Sequence, residues 1–126
     1  MKAIATLKYW EIIRQTMAEL RFPGTEESVS YGTPSFKVKT ALLCRLWEDG
    51  ETLVIHTDDR DEWTKGDKED VFYVTEHYAN YPYVLVRLKK IKKKKLKELL
   101  MKSWKEIATP KLLAEWEKTQ NSSKKA

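Results

Sequence analysis

Apolar residues near the N-terminus recur at the spacing of an amphipathic helix. Trp10, Ile13, Met17 and Leu20 fall at i, i+3, i+7 and i+10, and charged or polar side chains occupy positions between them. The Pro23-Gly24 pair then predicts the end of the helix. The chain is therefore predicted to begin with one helix that turns an apolar stripe towards a core.

The middle of the chain changes to a period of two, which is typical of half-buried strands. Val29 and Tyr31 alternate with serines, and apolar and lysine side chains alternate over residues 36–39. The Asp49-Gly50 pair between two apolar runs predicts a hairpin. The predicted strands cover residues 28–31, 36–39, 41–47, 52–57, 71–75 and 83–88.

Helices are predicted after the hairpin and at the end of the chain. Asp58 or Asp59 is expected to cap a short helix that ends near Gly66. A second amphipathic helix ends at Thr109-Pro110, and Pro110 suits the first turn of a last helix through Trp116. The apolar stripe of the second amphipathic helix consists of Leu96, Leu99, Leu100, Trp104 and Ile107.

This order of elements predicts an α+β fold, in which terminal helices cover one face of an antiparallel meander sheet. We expect a single domain over residues 1–120 and a frayed tail over residues 121–126. The 126 residues include five Trp and six Tyr, which is enough for a core of that size. The one cysteine, Cys44, excludes an internal disulfide and is expected to be buried and inert. We expect a cytoplasmic protein with no membrane partner, because neither a signal-peptide core nor an apolar run of about 20 residues is present.

Charge is separated along the chain. Residues 1–88 hold 11 basic and 15 acidic side chains, whereas residues 89–126 hold 13 basic and 4 acidic ones. Within the first part, residues 48–76 carry 11 acidic and 3 basic side chains. This separation indicates either a basic surface for a polyanion or a molecule whose own charges attract each other.

Three strand regions carry a family resemblance. The segments YGTPSFKV (31–38), WEDGETLVI (47–55) and above all VFYVTEHYANYPYVLVRL (71–88) resemble the MmcQ/YjbR family, and the likeness extends from about residue 4 to about residue 118. The resemblance implies a fold like that of CyaY, the bacterial frataxin, with terminal helices packed on an antiparallel sheet. It also implies DNA binding through a double-wing arrangement, and it brings no catalytic residues.

The strongest candidate site is a lysine-rich segment at the start of the second amphipathic helix. Basic side chains there would neutralise the phosphates of nucleic acid with little base specificity. The alternative is a solvated helix start without a ligand. The candidate phosphate-contacting residues are Arg87, Lys89, Lys90, Lys92, Lys93, Lys94, Lys95 and Lys97.

A second candidate is the aromatic loop between the last two strands. His77, Tyr78 and Tyr81 would stack on a base or on another flat ligand, which would make the protein a small-molecule or protein-interaction module. The favoured interpretation is packing. Tyr81 is expected to close the open end of the core, so that Tyr81→Ala would cost about 3 kcal/mol. His77 and Tyr78 are expected to face solvent.

A third hypothesis is a weak frataxin-like cation binder, but we expect no metal and no cofactor. The acidic residues lack the spacing of a calcium loop. His56 with Asp58 and the distant His77 lacks a third partner at ligand spacing. Nucleotide-cradling and nucleophile motifs are missing, so we expect a binding protein with no catalytic residues rather than an enzyme. The acidic stretch consists of Asp58, Asp59, Asp61, Glu62, Asp67, Glu69 and Asp70.

Overall fold

The computed structural model describes the backbone of residues 2–125 and the side chains of residues 8–120. The fold is α+β, with an N-terminal helix, a six-stranded antiparallel sheet and C-terminal helices, as predicted. In chain order the elements are α1 (Lys2–Leu20), β1 (Thr25–Ser30), β2 (Thr33–Val38), β3 (Ala41–Leu46), β4 (Thr52–His56), α2 (Asp61–Thr64), β5 (Phe72–Tyr73), a 3₁₀ turn (Glu76–Tyr78), β6 (Tyr83–Arg87), α3 (Lys93–Ile107) and α4 (Pro110–Lys125).

The sheet is a meander over its first four strands only. Its order is β1-β2-β3-β4-β6-β5, so β6 pairs with β4 and β5 lies outside it at the edge. The edge strand is shorter than predicted, because the chain leaves the sheet after Tyr73 and enters the 3₁₀ turn three residues later, at Glu76. This arrangement brings the loop that follows β5 back over the end of β4 and β6.

The core lies between the helices and one face of the sheet. Trp10, Ile13 and Trp104 are fully buried there. Phe22, in the turn after α1, stacks on Trp104 with 4.6 Å between the ring centroids. The indole Nε1 of Trp116 in α4 donates to the Leu20 carbonyl at 2.8 Å and so satisfies an end of α1. A cluster of aromatic rings thus joins α1, the turn that follows it, α3 and α4.

On the opposite face of the sheet, four side chains form a row, because their residues are paired across neighbouring strands. Arg45, Val54, Leu85 and Tyr73 are paired across β3, β4, β6 and β5. Arg45, Val54 and Leu85 are buried even though α3 packs on the other face. The loop around the 3₁₀ turn contacts this row, as described below.

Three predictions about helices concern the cap of α2, the end of α4 and the membrane. The cap predicted at Asp58 or Asp59 is wrong, because α2 begins one residue later with Arg60 at the N-cap position and no side-chain cap. The last helix continues past Trp116 to Lys125, and the predicted fraying of residues 121–126 stays a prediction because their side chains lie outside the described part. No helix in the described part of the chain is long and apolar enough to cross a membrane.

Candidate functional site

The lysine-rich segment lies where β6 turns into α3. Leu88 just after β6 and Leu96 in α3 are buried, and Ile91 between them packs against the core. Because these three apolar side chains anchor the segment to the core, the lysines between them project into solvent. Lys92 occupies the N-cap position of α3 without a side-chain cap bond.

Half of the predicted phosphate-contacting residues lie beside a carboxylate of the described chain. Lys93 and Lys97 both bind Glu19 of α1, at 3.0 and 2.8 Å. Lys89 binds Glu51 at 2.9 Å. Arg87 donates from Nε to the Asp70 carbonyl at 3.0 Å, and its guanidinium lies 4.1 Å from the centre of the Tyr73 ring. We call Arg87, Lys89, Lys93 and Lys97 the paired basic residues.

These pairings change the acidity of the groups involved. Hydrogen bonds from Lys97 and then Lys93 lower the pKa of the Glu19 carboxyl. The hydrogen bond to Glu51 raises the pKa of Lys89. All of these side chains are exposed, so each ion pair contributes little to folding stability. Their charge is nevertheless partly cancelled where a polyanion would approach.

The other half of the predicted residues has no carboxylate partner within the described chain. Lys90, Lys92, Lys94 and Lys95 are exposed, and we call them the open lysines. Lys90 donates only to the Glu69 carbonyl, at 3.1 Å. The Lys95 ammonium lies over the Trp63 ring, 5.2 Å from its centre.

A surface cleft of about 360 Å³ separates the start of α3 from α2 and the loop that follows it. Its lining includes five lysines and three acidic residues. Two of the three acidic groups have internal partners, since Glu62 pairs with Lys102 and the Asp67 carboxylate accepts from the Phe72 N–H at 2.7 Å. The five lysines are Lys65, Lys68, Lys90, Lys92 and Lys95. Some of the opposite charges therefore meet in the structure, and a surplus of lysine remains along this cleft.

The aromatic loop is arranged differently from the expectation. Tyr81 is 56% exposed, so its predicted role in closing the core is wrong. Tyr78 is only partly exposed, and its hydroxyl lies 3.1 Å from Nη2 of Arg45. The Tyr78 ring also contacts His77 and Tyr83 edge-on. His77 is exposed, as expected.

Arg45 is a residue that the sequence reasoning missed. It is 5% exposed, and its Nη1 donates to Thr33 Oγ1 at 3.1 Å and to Glu48 Oε1 at 3.3 Å. The exposed Tyr31 ring lies 5.2 Å from the guanidinium carbon. The signal was available, because one arginine interrupts the otherwise apolar strand ALLCRL.

A group of possible metal ligands gathers at the end of β4. His56 Nε2 lies 3.5 Å from an Asp58 carboxylate oxygen, and His56 Nδ1 lies 3.3 Å from Glu106 Oε1. Burial raises the pKa of the Glu106 carboxyl, and the nearby Asp58 charge raises it further. Sequence spacing could not indicate Glu106, which α3 supplies from 48 residues beyond Asp58. We call these three residues the His56 cluster.

The YjbR family model matches residues 20–106 of the chain. The chain belongs to the YjbR family. This confirms the resemblance seen in the strand motifs, over a shorter extent than expected from the sequence. No curated protein matches the chain.

The part that matches the YjbR model contains the six strands and nearly all of α3. It therefore includes the open lysines, Arg45, Tyr78 and the His56 cluster. Glu19, the partner of two paired basic residues, lies just before the matched part.

Cys44 lies inside the matched part and is fully buried in the core. Burial raises the pKa of the thiol to about 12, as suits an inert cysteine.

Proposed function

We propose that this YjbR protein binds nucleic acid, and that the open lysines contact the phosphates of duplex DNA with little base specificity. The observation that carries the proposal is their position. Cations at the start of a helix oppose its dipole by about 0.3–1 kcal/mol each at low ionic strength. The stability of α3 therefore gives no reason for exposed lysines at its start, whereas a bound polyanion would compensate their charge.

The geometry favours contact with the phosphate backbone rather than with bases. The open lysines follow one another along the turn and the first turn of α3, and Lys65 and Lys68 face them across the cleft. Lysine is a compact charge on a flexible stem, which suits phosphate oxygens without selecting a base pair. The family resemblance, which implies DNA binding, supports the same choice of ligand.

In this proposal the protein is a cytoplasmic binding module and not an enzyme. The aromatic loop is a weaker candidate for the ligand site, because Tyr78 and His77 contact other residues of the chain. Tyr81 is the exposed tyrosine of this loop. We therefore place the loop outside the main interface and the open lysines at its centre.

The first prediction is that binding to labelled duplex DNA weakens steeply with salt. In fluorescence anisotropy, the logarithm of the association constant should fall linearly with the logarithm of salt concentration, by about 0.9 per phosphate neutralised. The triple variant Lys92→Ser/Lys94→Ser/Lys95→Ser should flatten this slope by up to about 2.7 and weaken binding to unrelated duplexes equally.

The matched control is Lys89→Ser/Lys93→Ser/Lys97→Ser, which removes the same net charge from the same segment. Its slope should change much less, because these lysines already bind Glu51 or Glu19. Melting curves serve to check that both variants are folded. Undetectable binding at low salt would refute the proposal. Equal losses in the two variants would also refute it, since they would mean that net charge alone matters.

A further inference from the structure

The His56 cluster combines three side chains from three separate parts of the fold. His56 ends β4, Asp58 follows in the next loop, and Glu106 lies in the last turn of α3. One ligand atom from each side chain lies within 4.8 Å of the other two. The His56 and Glu106 side chains are 13% and 14% exposed, whereas Asp58 is 63% exposed. The protein therefore encloses the cluster around His56 and Glu106, and solvent reaches it on the side of Asp58.

The two less exposed members, His56 and Glu106, are held in place by further contacts with the fold. Ser103 Oγ of α3 donates to the His56 carbonyl at 2.6 Å. The His56 ring also meets Tyr83 edge-on, with 5.9 Å between ring centroids. The Asp58 N–H donates to Glu106 Oε1 at 3.2 Å, which ties the loop to α3. Such fixed surroundings lower the cost of gathering ligands around an ion.

The imidazole of His56 is also incompletely satisfied. Its Nδ1 is buried and has no hydrogen-bond partner among the described residues, although the Glu106 carboxylate is near. Buried polar atoms of this kind call for an explanation, which an ion can supply. Beside it two carboxyl groups face each other, an arrangement that repels when both are ionised. A cation among the three groups would accept the imidazole lone pair and neutralise the carboxylates.

We propose that His56, Asp58 and Glu106 bind one divalent first-row transition metal ion, of the class of Zn²⁺, Mn²⁺ or Co²⁺. One imidazole nitrogen and two carboxylate oxygens are ligands for this class, whereas Mg²⁺ and Ca²⁺ prefer oxygen alone. Ligand atoms at about 2.1 Å from a shared ion lie at most about 4.2 Å apart. A small rotation of the exposed Asp58 side chain closes the remaining gap, and water completes the coordination on the open side.

This site differs from a diffuse acidic surface. Asp59 and Asp61 belong to the same acidic stretch but are not within ligand distance of His56, and His77 lies in another loop. The expectation of no metal rested on spacing within one stretch of sequence. The proposed site depends on the docking of α3 against β4, and it is independent of nucleic-acid binding.

The second prediction tests the site by calorimetric titration of the chelator-treated protein with ZnCl₂ and with MnCl₂. We expect one saturable site for at least one of these ions, and no comparable site in titrations with MgCl₂ or CaCl₂. Glu106→Gln and Asp58→Asn should each weaken the binding by about tenfold or more, the scale of an impaired metal site. The bound ion should also raise the melting temperature of the parent protein and much less that of Glu106→Gln, because it bridges α3 and β4.

His77→Asn and the double variant Asp59→Asn/Asp61→Asn are the controls. They remove the other histidine and two neighbouring carboxylates, and they should bind the ion as the parent does. Circular dichroism serves to check that every variant is folded. The proposal is overturned by the lack of a saturable site for both ions, or by controls that lose as much affinity as Glu106→Gln and Asp58→Asn.

Discussion

Arg45 is a single side chain that holds three segments together on the sheet face opposite the helices. A buried guanidinium is costly unless its donors are satisfied. Here Thr33 and Glu48 accept from Nη1, and the Tyr78 hydroxyl lies within hydrogen-bond distance of Nη2. Arg60 fixes the same loop from the other side, since it donates to the Tyr78 and Ala79 carbonyls at 2.9 and 2.7 Å. The aromatic loop is therefore attached to the sheet through Tyr78.

The third prediction compares Tyr78 with Tyr81. Tyr78→Phe should lower the free energy of unfolding by about 1.5–3 kcal/mol, because it removes a hydrogen bond to a charged group and leaves Nη2 of Arg45 unsatisfied. Tyr81→Ala should change it by no more than about 0.5 kcal/mol, as exposed substitutions usually do. Urea unfolding of the two variants measures both values. A larger loss for Tyr81→Ala than for Tyr78→Phe would contradict the arrangement.

The same residues show what a local pattern leaves undetermined. The Tyr81-Pro82-Tyr83 run leads into a strand, which favoured a packing role for Tyr81. The structure places a tight turn there, with the Tyr81 N–H donating to the Tyr78 carbonyl at 3.0 Å, and the ring turns outwards. Glu106 was equally beyond prediction, because its approach to His56 depends on how α3 docks on the sheet.

At the scale of elements, the turn between α1 and β1 is fitted closely against α4. Gly24 has a φ of +71°, a left-handed conformation that favours glycine. A Cβ atom at this position would lie 2.8 Å from Cδ1 and 2.9 Å from Cδ2 of Leu112. Leu112 is itself buried, so its side chain has little room to move. Any side chain at residue 24 would therefore push on α4.

The fourth prediction uses two glycines as a matched pair. Gly32 has a similar φ of +79°, but a Cβ there would meet no atom within 4 Å. Gly24→Ala and Gly32→Ala should share the cost of the left-handed conformation, about 1–2 kcal/mol. Gly24→Ala should lose about 1–3 kcal/mol more, since it overpacks Leu112. Thermal or urea unfolding gives the difference, and equal losses would show that α4 yields without cost.

Periodicity predicted the long helices and most of the strands but not the 3₁₀ turn or the full arrangement of the sheet. The helical stripe of α3 and the alternation in β1 and β2 are local, because burial of one face imposes them residue by residue. The insertion of β6 between β4 and β5 is a pairing between distant segments, and no local pattern encodes it. The length of β5 likewise depends on its position at the edge, where one neighbouring strand supports it.

At the scale of the molecule, charges that are separated in sequence meet in space. Glu19 of α1 binds two lysines of α3, Glu51 binds Lys89, and Glu62 binds Lys102. On the other side of α1, Glu27 of β1 accepts from Arg14 at 2.6 Å and from the Trp10 indole at 2.8 Å. Two glutamates thus link α1 to α3 and to β1.

The fifth prediction is that these two glutamates contribute to the loss of stability in acid. Hydrogen bonds from Lys97 and then Lys93 lower the pKa of Glu19 below its ordinary value of 4.5, and those from Arg14 and then Trp10 do the same for Glu27. A pKa that is lower in the folded state means that the unfolded chain binds protons more readily. The stabilisation is therefore present above the ordinary pKa and is lost as pH falls through the folded-state pKa.

Glu19→Gln/Glu27→Gln should be less stable than the parent at neutral pH, and the two free energies of unfolding should converge as pH falls below 4.5. The amide introduced at position 27 keeps an acceptor for the Trp10 indole but cannot accept both hydrogen bonds of Arg14, so the variant removes the charge together with part of the hydrogen bonding. Glu98→Gln/Glu117→Gln removes the same charge from exposed positions without an ion pair in the described chain, and its stability should stay parallel to that of the parent. Urea unfolding at a series of pH values tests this. Parallel curves for all three proteins would show that Glu19 and Glu27 do not join the elements energetically, and that the aromatic core alone holds α1 against the sheet.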